Sequence, residues 1–210
     1  ITGHTGFKGS WLSLILMKLN AKVYGISNTK PKKNNIYNFT KKKLIKDYKE
    51  DILNFQKLKK IIFKIKPDII FHLAAQSLVK KSYEDTIDTW ETNVIGTVNL
   101  LESLKKYNKK ILVIIITSDK SYKNKEWVWG YRENDELGGS DPYSASKASA
   151  EFVINSYFKS FLFKKNNVRL AIARAGNVIG GGDWAQNRII PDCIRSWSKE
   201  KIAKIKNPNS

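Results

Sequence analysis

The run ILVIII, Ile111–Ile116, is the strongest constraint on the fold. Six consecutive aliphatic residues are far too few to cross a bilayer. With no polar alternation, a strand built from them has no face suited to water. Such a strand belongs inside a parallel sheet with helices on both sides. The run IIFHLAA, Ile69–Ala75, has the same character. Between and around these runs lie segments of helical period: GSWLSLILMKLN, NFQKLKKIIFKIK, DTWETNVIGTVNLLESLKKY and YSASKASAEFVINSYFKSFLFK. Shorter strands are expected in AKVYGIS, weakly in LIKDYK, and in VRLAIARAG, while NTKPKKNNIYNFTKKK, broken by Pro31, reads as a surface loop. Strand and helix alternate, so the expected fold is α/β, a doubly wound parallel sheet. At 210 residues there is room for one domain or one and a half.

The chain begins ITGHTGFKGSW, with Gly3, Gly6 and Gly9 at regular spacing. A glycine-rich turn that opens a helix exposes backbone N–H groups at the positive end of the helix dipole, a cradle for a pyrophosphate. The spacing is G-x-x-G-x-x-G rather than G-x-G-x-x-G, but the helix and strand that follow complete a dinucleotide-binding unit. The strand that normally precedes such a loop is not among these residues, and the chain is expected to start one strand late. The second strand ends in GISNTKP, where Ser27, Asn28, Thr29 and Lys30 stand in place of the carboxylate that commonly bonds the adenosine ribose. Lys30 and Lys32 suit a 2′-phosphate as well.

YSASK places Tyr143 and Lys147 four residues apart, on one helix face. A phenol with a pKa of about 10 is a poor base at neutral pH, and a neighbouring ammonium stabilises its phenolate. The strand ILVIII leads into TSDKSY, which puts Ser118 at the carboxyl edge of the sheet, where α/β sites assemble. Ser, Tyr and Lys beside a nicotinamide make a hydride-transfer site.

The net charge of +19 raises nucleic acid as a partner. The lysines are spread along the chain, however, Arg is rare, and no zinc pattern or RNP-like aromatic motif occurs, so that function class is set aside. No metal is implied. A single cysteine, Cys193, excludes an internal disulfide and suits a reducing cytoplasm. No signal-peptide pattern or membrane partner is indicated.

Together, TGHTGFKG, HLAAQ, TSDK, YSASK and RAGNVIGGGDW resemble the extended short-chain dehydrogenases/reductases that act on nucleotide sugars. GHTGFKGSWL, NKEWVWGYREND and AGNVIGGGDWA point within that family to the 4,6-dehydratases that take CDP-glucose. The resemblance implies a Rossmann-type domain over 1–176 and, over 177–210, the start of a smaller nucleotide-sugar-binding region. It implies a hydro-lyase with tightly held NAD, active in deoxysugar and surface-polysaccharide synthesis (O-antigen, lipopolysaccharide), and a homodimer or homotetramer. The C4 hydroxyl is oxidised, water leaves across C5 and C6, and hydride returns to C6. By the same resemblance Tyr143 is the base for O4, Lys147 binds the nicotinamide ribose and tunes Tyr143, and Ser118 orients O4. Asp119 is the acid for the leaving C6 hydroxyl. Lys120 stands where related dehydratases carry the glutamate that removes the C5 proton, and serves there if burial or flanking cations lower its pKa. Cofactor contacts fall on Gly3, Thr5, Gly6, Phe7 and Lys8, on Asp51 and Ile52 near adenine, on Ala74, Ala75 and Gln76, and on Asn93. Asn177, Trp184 and Arg188 are implied to contact the nucleotide sugar. His4 is placed to touch cofactor phosphates and His72 to be packed. Trp127, Trp129 and Tyr131 form a lid or a subunit contact. Competing readings are an epimerase or dehydratase of the same fold with another nucleotide, and a non-catalytic dinucleotide-binding protein.

Overall fold

The computed structural model describes residues 1–31 and 35–205. Along the chain run α1 (Phe7–Lys18), β1 (Tyr24–Ile26), α2 (Tyr37–Thr40), β2 (Lys46–Tyr48), α3 (Phe55–Ile65), β3 (Ile69–His72), α4 (Val79–Glu84), α5 (Thr86–Trp90), α6 (Gly96–Leu104), β4 (Ile111–Ile116), α7 (Pro142–Tyr157), β5 (Val168–Ala173) and α8 (Ile189–Trp197). Every strand pairing is parallel: β1 with β2, β3 with β4, and β4 with β5. Thr2 joins the two parts, bridging in parallel to Ile26 on one side and His72 on the other. The sheet therefore reads β2, β1, Thr2, β3, β4, β5. This is the expected doubly wound arrangement, whose sites form at the carboxyl ends of the strands.

Helices α3, α6 and α7 lie side by side over one face. Leu58, Leu100, Leu104, Val113, Ile115 and Ile154 fill the core there, each essentially sealed from solvent. Along β4 the alternate residues Leu112, Ile114 and Ile116 are only half-buried, so the second face is more open than an all-aliphatic run leads one to expect.

Helix α1 departs from its apolar spacing. Its inward residues are Gly9, Ser10 and Ser13, while Trp11, Ile15 and Leu19 look outward. Small residues face in because the helix is set tightly against the glycine loop, and the serines satisfy themselves locally: Ser10 Oγ donates to the His4 carbonyl at 3.0 Å and Ser13 Oγ to the Gly9 carbonyl at 2.8 Å. The two long helices expected from the sequence are interrupted. A π-turn, Glu91–Ile95, separates α5 from α6, and another, Phe158–Leu162, follows α7. Among the described residues no helix is long and apolar enough to cross a membrane.

Candidate active site

The three glycines of the first loop have different duties. Gly3 has φ +71°, and a Cβ there would lie 2.7 Å from the Ala74 nitrogen at the exit of β3. A Cβ on Gly9 would strike the Gly3 carbonyl and the backbone of His4. Those two are required for packing within the protein. A Cβ on Gly6 would meet only the Gly3 oxygen, at 3.3 Å, so the space in front of it is open. Gly6 is also the extended N-cap of α1 and supplies no side-chain acceptor to the first-turn N–H groups. An uncapped helix start behind an open glycine is what a pyrophosphate requires, and the residues present fit a dinucleotide. Thr5 Oγ1 is 2.7 Å from Ser27 Oγ, which ties the loop to the end of β1. His4 does not face the phosphate space. It is wholly buried beneath the loop, against Gly25, edge-on to Tyr37, with Nε2 3.0 Å from Asp47 Oδ1. Burial lowers its pKa, and the Asp47 carboxylate opposes that.

Beyond the end of β2 a carboxylate reaches the end of β1. Asn28 Nδ2 donates to Asp51 Oδ2 at 2.6 Å, and the Leu53 N–H donates to Asp51 Oδ1 at 2.8 Å. Ile52 sends its side chain into the core against Gly96, which leaves Asp51 as the polar group of that pair. Lys30 is exposed, and Lys32 lies outside the described residues.

The carboxyl end of β4 carries the groups expected to react. Ser118 caps a tight turn, Asp119–Ser121, and its Oγ donates to Asp119 Oδ1 at 2.9 Å. Asp141 caps α7, its Oδ1 accepting from the Ser144 N–H at 3.0 Å, with Pro142 in the first turn. That cap fixes the turn carrying Tyr143 and, one turn on, Lys147, both buried. The Ser118 hydroxyl lies within electrostatic reach of the Tyr143 phenol. Burial pushes the Tyr143 phenol up from its ordinary value; the Ser118 hydroxyl and the Arg188 charge pull it down, while Asp119 and Asp141 add to the rise. Burial brings Lys147 down to about 8, helped by Lys8 and opposed by Glu151. Lys8, in turn, is lowered by burial and by Arg188, with Asp119 opposing. Three cations thus act on one region, a setting for an anionic ligand even with Asp119, Asp183 and Glu151 beside them. Lys120 is exposed.

The exit of β3 is held rather than free. Asn93 Oδ1 accepts from the Gln76 N–H at 2.9 Å, and its Nδ2 donates to the Gln76 carbonyl at 3.0 Å and to Ser146 Oγ at 2.9 Å. Gln76 Nε2 donates to the Leu78 carbonyl and to Thr89 Oγ1, both at 3.0 Å. The amides of Asn93 and Gln76 therefore bind the Ala74–Ala75–Gln76 turn to α5 and α7. His72 is packed, as expected, with Thr2 Oγ1 2.8 Å from Nδ1.

Of the residues expected at the nucleotide sugar, Arg188 reaches the reactive groups electrostatically and bonds Asp183 at 3.2 Å. Asn177 is exposed and Trp184 is 39% exposed. The glycine segment beside them lies over the start of α1, with Trp11 Nε1 donating to the Gly181 carbonyl at 2.9 Å. The aromatic loop packs on itself, Tyr131 stacking on Tyr122 with ring centres 4.9 Å apart and Trp127 5.5 Å from Tyr131; Trp129 stays largely exposed. Sequence reasoning passed over Glu151 and its partner Arg174. The signal was present, since Tyr143, Lys147 and Glu151 recur every four residues on one helix face. An apolar cavity lined by Leu16, Val23, Leu58 and Ile70 lies away from these groups, toward the amino ends of β1 and β3.

The family described as GDP-mannose 4,6 dehydratase matches residues 1–179. The chain is 49% identical to CDP-glucose 4,6-dehydratase of Salmonella typhimurium, over all of this chain and 60% of that protein. It is 34% identical to dTDP-D-glucose 4,6-dehydratase of Dictyostelium discoideum, over 98% of this chain and 49% of the relative. The chain therefore spans about half to three fifths of the length of these relatives. Among solved structures it is similar to UDP-glucuronic acid 4-epimerase from Bacillus cereus in complex with UDP-glucuronic acid and NAD. That likeness has a TM-score of 0.83 and 27% identity, over 97% of this chain and 64% of that one.

Proposed function

The chain belongs to the GDP-mannose 4,6 dehydratase family, and from that premise we propose that the protein is an NAD-dependent hydro-lyase that converts CDP-glucose to CDP-4-dehydro-6-deoxyglucose. The observation that carries the reading is the convergence of Ser118, Asp119, Tyr143 and Lys147 at the carboxyl end of β4, together with an open, uncapped glycine loop. The relative named for this reaction supports the choice of nucleotide. Gly3, Thr5, Gly6, Phe7 and Lys8 hold the pyrophosphate of the dinucleotide, with Asp51 at its adenosine end and Ala74, Ala75 and Gln76 beside its path. When bound, NAD supplies the hydride acceptor for C4 and the hydride donor for C6.

The chain's own residues move the protons. Tyr143, as phenolate, takes the proton of the O4 hydroxyl, with Ser118 hydrogen-bonded to the same oxygen. Lys147 holds the nicotinamide ribose. Lys120 removes the C5 proton, made acidic by the adjacent C4 carbonyl, Asp119 gives a proton to the C6 hydroxyl, which leaves as water, and the proton on Lys120 returns to C5 as hydride reaches C6. The product stays a ketone at C4, so Tyr143 gives up the O4 proton to solvent and Asp119 regains one before the next turnover. Arg188, with Asn177 and Trp184, engages the nucleotide-sugar diphosphate; a planar guanidinium suits that group.

The protein acts as a homodimer. Ile87, Trp90, Ile95, Phe152 and Phe161 are exposed on the paired helical segments of α5–α6 and α7, an apolar surface suited to a second copy. The test of function is incubation of the full-length protein and NAD with CDP-, dTDP-, UDP- and GDP-glucose, following product mass. Loss of 18 Da, on the order of one water, is expected with CDP-glucose; preference for another nucleotide overturns the substrate assignment, and no loss with any of them overturns the reaction.

A further inference from the structure

Four segments that serve the reaction centre meet at one carboxylate. Glu151 lies on α7, one turn beyond Lys147 and two beyond Tyr143, and its side chain is sealed from solvent. Its Oε1 accepts from Thr117 Oγ1 at 2.7 Å and from Arg174 Nε at 2.9 Å; its Oε2 accepts from Arg174 Nε at 3.0 Å and Nη2 at 2.6 Å. Thr117 immediately precedes Ser118 and Asp119. Arg174 immediately follows β5, donates from Nη1 to the Glu133 carbonyl at 3.0 Å, and lies 4.4 Å from the centre of the Tyr122 ring. The carboxylate thus joins α7, the end of β4, the end of β5 and the aromatic loop. A buried ion pair is a weak source of stability, since apolar residues of similar volume do as well or better there. What a forked, bidentate pair gives is fixed geometry.

We infer that Glu151 is the positioning residue of this site, setting where Ser118 and Asp119 stand relative to Tyr143 and Lys147. The inference rests on the function proposed above. It has an electrostatic corollary at Lys147. The charged and titratable groups that act on that amine or feel its charge are Lys8 from α1, His72 from β3 and Glu151 from its own helix. Burial and Lys8 push the amine toward its neutral form, and Glu151 is the charge that holds its proton on.

The test uses the full-length protein with Glu151→Gln, Glu151→Asp, and the double variant Glu151→Met with Arg174→Met. Glu151→Gln is expected to lower kcat about 100-fold while KM changes less than threefold. It is also expected to move the Lys147 midpoint, read by NMR of 13Cε-lysine, down by about one pH unit. Glu151→Asp keeps that midpoint yet loses turnover, because the shorter arm misplaces Thr117. The double variant, with no uncompensated charge, is expected to unfold near the parental temperature and still lose turnover. Recovery of turnover along with stability in the double variant overturns the inference, as does an unmoved Lys147 midpoint in Glu151→Gln. If the parent removes water from no nucleotide sugar, the proposed reaction falls, and the NMR titration still decides on Glu151.

Discussion

In the proposed reaction Tyr143 must shed its proton before it can take one from a sugar hydroxyl, and its surroundings pull both ways. Burial raises the phenol while Ser118 and Arg188 lower it, so turnover is expected to rise with pH through neutrality. Lys147, held at about 8, loses its charge above that value, which offsets the continuing gain of phenolate. With the phenol titrating above the amine, initial rates between pH 6 and 10 should rise with pH and level off near the Lys147 midpoint. Tyr143→Phe is expected to lower kcat by about 10²–10⁴ without loss of folding. Asp119→Asn is expected to stop loss of water yet leave C4 oxidation visible as absorbance of the reduced nicotinamide. The glycines separate stability from binding at the same scale. Gly3→Ala, with φ +71° and no room at Ala74, is expected to cost on the order of 1–3 kcal/mol in chemical denaturation. Gly6→Ala should fold normally and weaken dinucleotide binding, measured by quenching of tryptophan fluorescence.

At the scale of elements, the catalytic side chains depend on how α7 begins. Removing the Asp141 cap by Asp141→Ala is expected to cost about 1 kcal/mol and to lower kcat more than KM, because the first turn that frays is the one bearing Tyr143. Thermal unfolding beside initial rates checks both. The sheet and most helices were legible because aliphatic runs such as Ile111–Ile116 and helix-period segments such as Phe55–Ile65 report their own burial. The Ser–Tyr–Lys grouping was legible because strand ends and i, i+4 spacing are local facts. The inward face of helix α1 was not legible, since it is fixed by contact with a loop and not by hydrophobicity. His4 was misplaced for a related reason: a polar residue in a phosphate loop looks outward on the page, whereas Asp47 and the space beside Gly25, both distant in sequence, draw it in. The π-turns and the Glu151–Arg174 pair depend on tertiary packing and left only a faint trace in periodicity.

For the molecule as a whole, acid sensitivity follows from a buried imidazole. His72 has its pKa lowered to about 3, chiefly by burial and then by Lys147, whereas in the unfolded chain it titrates near its ordinary 6.5. Between those values the unfolded state holds the extra proton, so stability rises with pH from 3 to 6.5 and is lost as pH falls. The slope from this group approaches about 1.4 kcal/mol per pH unit. Denaturant midpoints across that interval should flatten in His72→Gln. Disrupting the exposed helical surface with Phe152→Glu is expected to give monomers in sedimentation experiments while leaving the far-ultraviolet spectrum unchanged. The glycine loop leans on Ala74, the turn beyond Ala74 is clasped by Asn93, and Asn93 grips Ser146 beside Lys147. Nothing along that line is slack. Filling the mouth of the sheet is therefore registered deep in helix α7, and deuterium uptake at Ser144–Ala148 should slow as soon as dinucleotide is added, before any sugar arrives.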